Sequence, residues 1–169
     1  MKRRQFISLA PVALGLVWLG SVGDAKEIGN ALAGLEKLRV YSVEKRGYFE
    51  SERVIKSADE WRKILSAEQF HVLREQGTEP AYSGKYHDHK EHGVYRCAAC
   101  ELDLYDSATK YDSKSGWPSF YEAVAPENIA TREDRGFFMV RNELICRRCE
   151  SHLGHVFGDG PEPTGKRHC

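Results

Sequence analysis

The sequence predicts a mainly β protein of the α+β class, an antiparallel β domain with short helices in front of it. Three observations carry this reading. From Gly93 onward the chain breaks into short β-like runs separated by turn residues. Ahead of them stand two helix starts with the same capping signature. Four of the five cysteines fall in two knuckles, Cys97-Ala98-Ala99-Cys100 and Cys146-Arg147-Arg148-Cys149, far enough apart in the chain to tie distant hairpins together. With 169 residues, 41% hydrophobic and 11% aromatic, the chain can bury one core, and a single domain is expected. Basic and acidic residues number 25 each, so no global field draws the protein to nucleic acid or to an anionic bilayer, and no nucleic-acid partner is expected.

The chain opens Met1-Lys2-Arg3-Arg4-Gln5-Phe6, continues with an apolar stretch from Leu9 to Leu19, and reaches the small-residue segment Gly23-Asp24-Ala25. A basic start, a short apolar centre and a small residue before the cut are the parts of an export signal, assigned to residues 1–25. Arg3-Arg4-Gln5-Phe6 resembles a twin-arginine signal, whose route carries proteins already folded and would suit a domain that loads metal before leaving the cytoplasm. An ordinary export signal or an uncleaved anchor is the alternative. The apolar stretch is short for a membrane-spanning helix. The expectation is therefore an exported protein, periplasmic in a bacterium, with no stable membrane insertion once the signal is removed. Residues 26–54 show no sustained period and read as a tether and lead-in, with the domain proper at 55–169.

Ser57-Ala58-Asp59-Glu60 and Ser66-Ala67-Glu68-Gln69 both fit the capping box, in which a serine hydroxyl caps a free backbone N–H and the later side chain reaches back. Trp61, Ile64 and Leu65 are expected on one face of the first helix; Phe70, Leu73 and Val72 are expected on the second, which Gly77 should end. The β-like runs follow: Val94-Tyr95-Arg96, Leu102 to Tyr105, Phe120 to Val124, Phe137-Phe138-Met139-Val140 and Leu144-Ile145. Asp134-Arg135-Gly136 and Arg141-Asn142 are expected turns, the second leading into the Cys146 knuckle.

A Cys-x-x-Cys turn aims two thiolates at one point, and two such turns complete a tetrahedral four-sulfur shell for Zn²⁺. Cys97, Cys100, Cys146 and Cys149 are therefore candidate ligands of a structural zinc. Redox disulfides in an exported protein are the competing reading. The fifth cysteine, Cys169, lies beside Arg167 and His168, neighbours that favour the nucleophilic thiolate. On spacing alone it is equally a nucleophile or a structural thiol. His152 and His155, after the second knuckle, read by themselves as structural or surface histidines.

Taken in order, Ser83-Gly84-Lys85-Tyr86, Tyr95-Arg96-Cys97, Lys110-Tyr111-Asp112-Ser113, Gly116-Trp117-Pro118-Ser119-Phe120, Cys146-x-x-Cys149-x-Ser151-His152-Leu153-Gly154-His155-Val156-Phe157, Asp159-Gly160-Pro161 and Gly165-Lys166-Arg167-x-Cys169 resemble the methionine-R-sulfoxide reductase B family, from about Ser57 to Cys169. The resemblance implies a barrel-like or tent-like antiparallel fold stapled by zinc, and an enzyme that returns methionine-R-sulfoxide, free or in proteins, to methionine. It implies Cys169 as nucleophile, with His152, His155, Asp159 and Arg167 as polar active-site residues. Trp117 and Phe157 would bind the substrate. Within that scheme Asp159 is expected to orient an imidazole, Arg167 to favour the thiolate, and one of the two histidines to supply the proton.

The chain departs from the family pattern in three places. Ser115 stands where many relatives carry a resolving cysteine, so the oxidised Cys169 is expected to be reduced by an external thiol, thioredoxin-like or other. His168 stands where an aromatic residue is usual. Relatives continue past the nucleophile with a further strand, including an Asn two positions on, so the sequence is expected to be cut short at Cys169. The alternatives are a non-catalytic zinc-stapled binding module, an inactive truncated reductase, or a thiol-disulfide oxidoreductase using the two Cys-x-x-Cys pairs.

Overall fold

Ser57 and Ser66 each begin a helix in the computed structural model, which describes residues 37–136 and 139–169. Helix α1 spans Ala58–Ile64 and α2 spans Ala67–Glu75. In both the predicted reciprocal cap is formed. The Ser57 hydroxyl accepts from the Glu60 amide while the Glu60 carboxylate accepts from the Ser57 amide at 2.8 Å, and Ser66 and Gln69 repeat the exchange. Trp61 and Leu65 turn inward and Phe70 and Leu73 join them. Ile64 is the exception to the predicted apolar face, with 57% of its surface exposed. The helix ends there and Leu65 is extended, so the chain turns Leu65 into the core and leaves Ile64 outside. The second helix closes on Gln76 in the left-handed region, one residue before the expected Gly77.

The stretch expected to be an irregular lead-in instead contains a hairpin. Strands β1 (Lys37–Ser42) and β2 (Gly47–Glu52) pair antiparallel in continuous register, and Leu38 and Val40 alternate into the core. Asn128, fully buried, fastens this hairpin to the body: its amide donates to the carbonyls of Tyr41 and Asp103 and its oxygen accepts from the Tyr41 amide. The expected export signal lies outside the described residues. Among the described residues, no helix is long and apolar enough to cross a membrane.

The rest is the expected antiparallel β domain. Strands β3 (Val94–Arg96) and β4 (Asp103–Asp106) form one hairpin around the first knuckle. Strands β5 (Lys110–Tyr111), β6 (Ser119–Phe120), β7 (Ile129–Gly136), β8 (Met139–Cys146), β9 (His152–Phe157) and β10 (Arg167–His168) form a six-stranded sheet in the order β5-β6-β10-β9-β8-β7. Both turns expected in this region are strand. Asp134 pairs with Arg141 and Glu133 with Asn142 across the β7–β8 ladder, and Arg141 donates to Asp134 at 2.7 Å. Polar residues that suggested turns are here a half-buried cross-strand pair in a ladder. Phe137 and Phe138, expected in a strand, lie outside the described residues. Of the run Phe120 to Val124, only Phe120 is strand, together with Ser119.

The core joins the hairpin, the helices and the sheet. Val40, Trp61, Phe70, Leu104, Phe120 and the knuckle cysteines Cys97, Cys146 and Cys149 belong to one cluster. Burial of this kind contributes roughly 25 cal/mol per Å² of apolar surface, which makes the joint between hairpin and body part of the fold rather than an appendage.

Candidate active site and cysteine centre

The two knuckles have the same backbone form. After Cys100 and after Cys149 stands a glutamate in the left-handed region, Glu101 at φ 62° and Glu150 at φ 57°. The Glu101 amide reaches back to the Cys97 carbonyl and the Glu150 amide to the Cys146 carbonyl, both at 2.8 Å. The tight turns bring all four sulfurs within 4.8 Å of one another, with Cys97 facing Cys149 at 3.6 Å and Cys100 facing Cys146 at 3.5 Å. Four sulfurs this close cannot all be anionic unless a cation sits among them. The knuckles are also locked to each other and to the helices: Arg148 donates to the Cys100 carbonyl at 3.0 Å, and Arg74, stacked over Trp61, donates to the Cys149 carbonyl at 2.9 Å.

Directly after the second knuckle, β9 carries His152 and His155 to one wall of a cleft of about 610 Å³. Cys169, Trp117, Phe157 and Arg167 line the same cleft. The backbones of Cys169 and His155 exchange both hydrogen bonds at 2.9 Å, which fixes the sulfur beside β9. That close approach requires Gly154. It has φ +136°, and a Cβ there would lie 1.9 Å from the Cys169 carbonyl oxygen. Trp117 is held by its indole N–H, which donates to the Glu79 carbonyl at 2.8 Å, and it borders the cleft.

The two imidazoles and Arg167 each have a carboxylate partner. His152, buried, meets Glu143 through Nδ1 at 2.7 Å. Glu143 is itself 1% exposed and also accepts from Arg132 at 2.9 Å and from Gln76 at 3.2 Å. Burial acts to raise the Glu143 carboxyl, but the hydrogen bonds of His152 and Arg132 outweigh it and leave it below the usual carboxylate range. His155 meets Asp134 through Nε2 at 2.9 Å, and the hydrogen bonds of His155 and Arg141 hold Asp134 low as well. The two imidazoles lie 5.4 Å apart, edge to face. Arg167 is gripped by both oxygens of Asp159, each at 2.9 Å, and lies 4.2 Å over the Phe157 ring. It lines the cleft together with Cys169. His168, in place of the usual aromatic, contacts the Tyr105 hydroxyl at 3.1 Å, and burial lowers its pKa.

Of the predicted site residues, His152, His155, Trp117, Phe157, Arg167 and Cys169 converge on the cleft. Asp159 does not orient an imidazole. The turn after β9 folds back so that Asp159 meets the guanidinium two residues before the cysteine, and its hydrogen bond holds Asp159 low. The carboxylates that meet the imidazoles are Glu143 and Asp134, neither of them a predicted site residue; Asp134 was expected in a turn. The available signal for Glu143 was weak, a charged residue at the edge of the apolar pair Leu144-Ile145 that leads into a knuckle. For Asp134 no comparable signal exists, because its role depends on the β7–β8 register.

Comparison with known proteins agrees with this geometry. A family model described as the SelR domain matches residues 65–169. A protein of Methanosarcina barkeri named peptide methionine sulfoxide reductase MsrB is 54% identical over 116 residues, covering 69% of this chain and 82% of its own. A protein of the same name from Thiobacillus denitrificans is 55% identical over 114 residues, covering 68% and 86%. The chloroplastic peptide methionine sulfoxide reductase B1 of Arabidopsis thaliana is 49% identical over 114 residues, covering 67% and 56%. With its knuckles, its histidine-bearing strand and its cysteine all inside the matched region, the chain belongs to the SelR domain family, that of the MsrB methionine sulfoxide reductases.

Proposed function

We propose that this protein reduces methionine-R-sulfoxide, in oxidised proteins or as the free amino acid, to methionine at the expense of thiols. The observation that carries the proposal is the convergence of Cys169 with two carboxylate-partnered imidazoles, an anchored arginine and an anchored tryptophan in one cleft. Trp117 and Phe157 take the S-methyl group of the substrate, which packs well on aromatic faces. The Cys169 thiolate, favoured by Arg167, attacks the sulfoxide sulfur. Oxygen is a poor leaving group until protonated, and His152 or His155 delivers the proton. The oxygen ends on Cys169 as a sulfenic acid while the substrate sulfur falls to the thioether. Cys169 is thereby oxidised by two electrons. One external thiol then displaces hydroxide, released as water, to form a mixed disulfide; a second thiol releases Cys169 and leaves as the disulfide. Ser115 offers no internal thiol, which supports a thioredoxin-like or other small thiol donor.

The four knuckle cysteines suit a structural Zn²⁺, since an all-thiolate tetrahedral set is closed to substrate and selects that ion. When bound it neutralises the sulfur cluster and joins the two knuckles. The basic and apolar N-terminal sequence supports export of the protein, periplasmic in a bacterium.

The test is incubation of the full chain with a dithiol and a peptide carrying the two sulfoxide epimers, followed by chromatography. The R epimer should disappear and the S epimer remain, and Cys169→Ser should abolish the reaction. Persistence of the R epimer with zinc-loaded wild-type protein would overturn the proposal and leave the binding-module reading.

A further inference from the structure

Three serines lie in a row behind the Cys169 sulfur. The Ser115 hydroxyl is 3.6 Å from Cys169 Sγ, the Ser113 hydroxyl is 2.7 Å from that of Ser115, and the Ser119 hydroxyl, fully buried, is 2.7 Å from that of Ser113. Two backbone amides feed the same row: Trp117 N–H donates to Ser115 at 3.5 Å and Ser115 N–H to Ser113 at 3.4 Å. Each hydroxyl owns one hydrogen and can accept two. If Ser119 donates to Ser113 and Ser113 to Ser115, both acceptor positions of Ser115 are filled, by Ser113 and by the Trp117 amide. Its own hydrogen then has the Cys169 sulfur as its acceptor. The row can also run the other way, since Ser119 lies 3.3 Å from the Trp117 carbonyl. In that direction the Cys169 thiol donates to Ser115, Ser115 to Ser113, and Ser113 to Ser119, which ends on that carbonyl.

We infer that Ser115 is a positioning residue for the nucleophile, and that Ser119, Ser113 and Ser115 form a reversible hydroxyl row that donates to Cys169 when it is the thiolate. The inference rests on Cys169 being the nucleophile. No proton is transferred along the row. Ionisation releases the sulfur's proton to solvent in the cleft, and the three hydroxyls rotate to face the new charge. Successive hydroxyls polarise one another, so the donor presented to the sulfur is stronger than an isolated serine. The row also reaches the substrate wall, because two of its contacts are to the Trp117 backbone.

Other charged and titratable groups line the cleft beside the sulfur and are not removed when the row is cut. They are Arg167 and His168 on β10, His152 and His155 on β9, Arg141 on β8 and Glu79 in the segment after α2. Tyr105 on β4 and Tyr111 on β5 also feel its charge.

The test reads the sulfur directly and does not require turnover. Alkylation of Cys169 by iodoacetamide is followed by peptide mapping across pH in zinc-loaded full-length protein. Ser115→Ala should slow alkylation about threefold at neutral pH, because the thiolate becomes scarcer while the more basic sulfur regains part of the loss in nucleophilicity, and the high-pH plateau should not fall below the wild-type rate. Ser115→Thr should restore the neutral rate. Ser113→Ala, which leaves the Ser115 hydroxyl in place but removes its donor, should give a smaller loss, about twofold, through the loss of polarisation. An unchanged neutral rate in Ser115→Ala, or an equal loss at every pH, would overturn the inference. A wild-type protein that alkylates as described yet reduces no sulfoxide would instead count against the activity.

Discussion

Replacing Glu143 by glutamine should destabilise the protein by about 1–2 kcal/mol at neutral pH, with the loss fading in acid. Glutamine keeps the shape and an acceptor oxygen for His152 and Gln76, so no cavity opens, but its amide NH2 faces Arg132 and the charge and that bond are lost. A hydrogen bond to a charged group contributes about 1.5–3 kcal/mol and a neutral one about 0.5–1.5, a difference of about 1 kcal/mol per bond. Glu143 makes such contacts to His152 at 2.7 Å and to Arg132 at 2.9 Å. The arginine side chain is 51% exposed and is screened, so its share is the smaller. The melting temperature should fall by about 3–8 °C. The folded Glu143 carboxyl lies below its unfolded value of about 4.3. A depressed carboxyl contributes stability that is complete above the unfolded value and is lost as pH falls through the folded one. Melting curves of wild type and Glu143→Gln from pH 7 to pH 3 should therefore show a constant gap down to about pH 4.5 and a narrowing gap below it. Acid release of metal affects both proteins alike, so the difference alone is read. A gap of the same size at pH 3 as at pH 7, or none at pH 7, would refute the assignment of Glu143 as an ionised partner of His152.

Two further outcomes follow from the fold and the cysteine centre. Asn128→Ala should cost about 2–3 kcal/mol in urea unfolding, because it leaves the Tyr41 amide without its acceptor and two carbonyls without a donor. Amide exchange at Val40 and Tyr41 should quicken, whereas a uniform change across the sheet would argue that the hairpin is not separately fastened. The purified protein should hold a single zinc ion per chain by elemental analysis, and Cys146→Ser should lose it and melt at lower temperature; metal-free protein of unchanged stability would exclude a structural zinc.

How far the sequence predicted the molecule depends on the range of the interaction involved. The caps at Ser57 and Ser66 and the two knuckles are complete within a few residues, and each formed as expected. The hairpin at 37–52 escaped because its second strand, Gly47–Glu52, has only one large apolar side chain facing the body side of the pattern and its burial depends on Asn128 far along the chain. The expected turns at Asp134 and Arg141 failed for a related reason. Charged residues suit a turn and a cross-strand ion pair equally, and only the register decides. In the cleft, residue types were legible from the resemblance, but partners were not. Asp159 lies close to His155 in sequence yet pairs with Arg167, while Glu143 and Asp134 reach the histidines from strands that precede the knuckle.

The two-residue strand Arg167–His168 lies between β6 and β9, although it follows both in the chain. His168 bridges Phe120 on one side and Val156 on the other. A short ribbon with few bonds of its own can settle there only after its two flanking walls stand ready, and such long-range closure is slow. Completion of the sheet and delivery of the Cys169 sulfur to the cleft are thus one event. A partly folded chain would have its sulfur away from His152, His155, Arg167 and Trp117, without the basic neighbours that favour a thiolate.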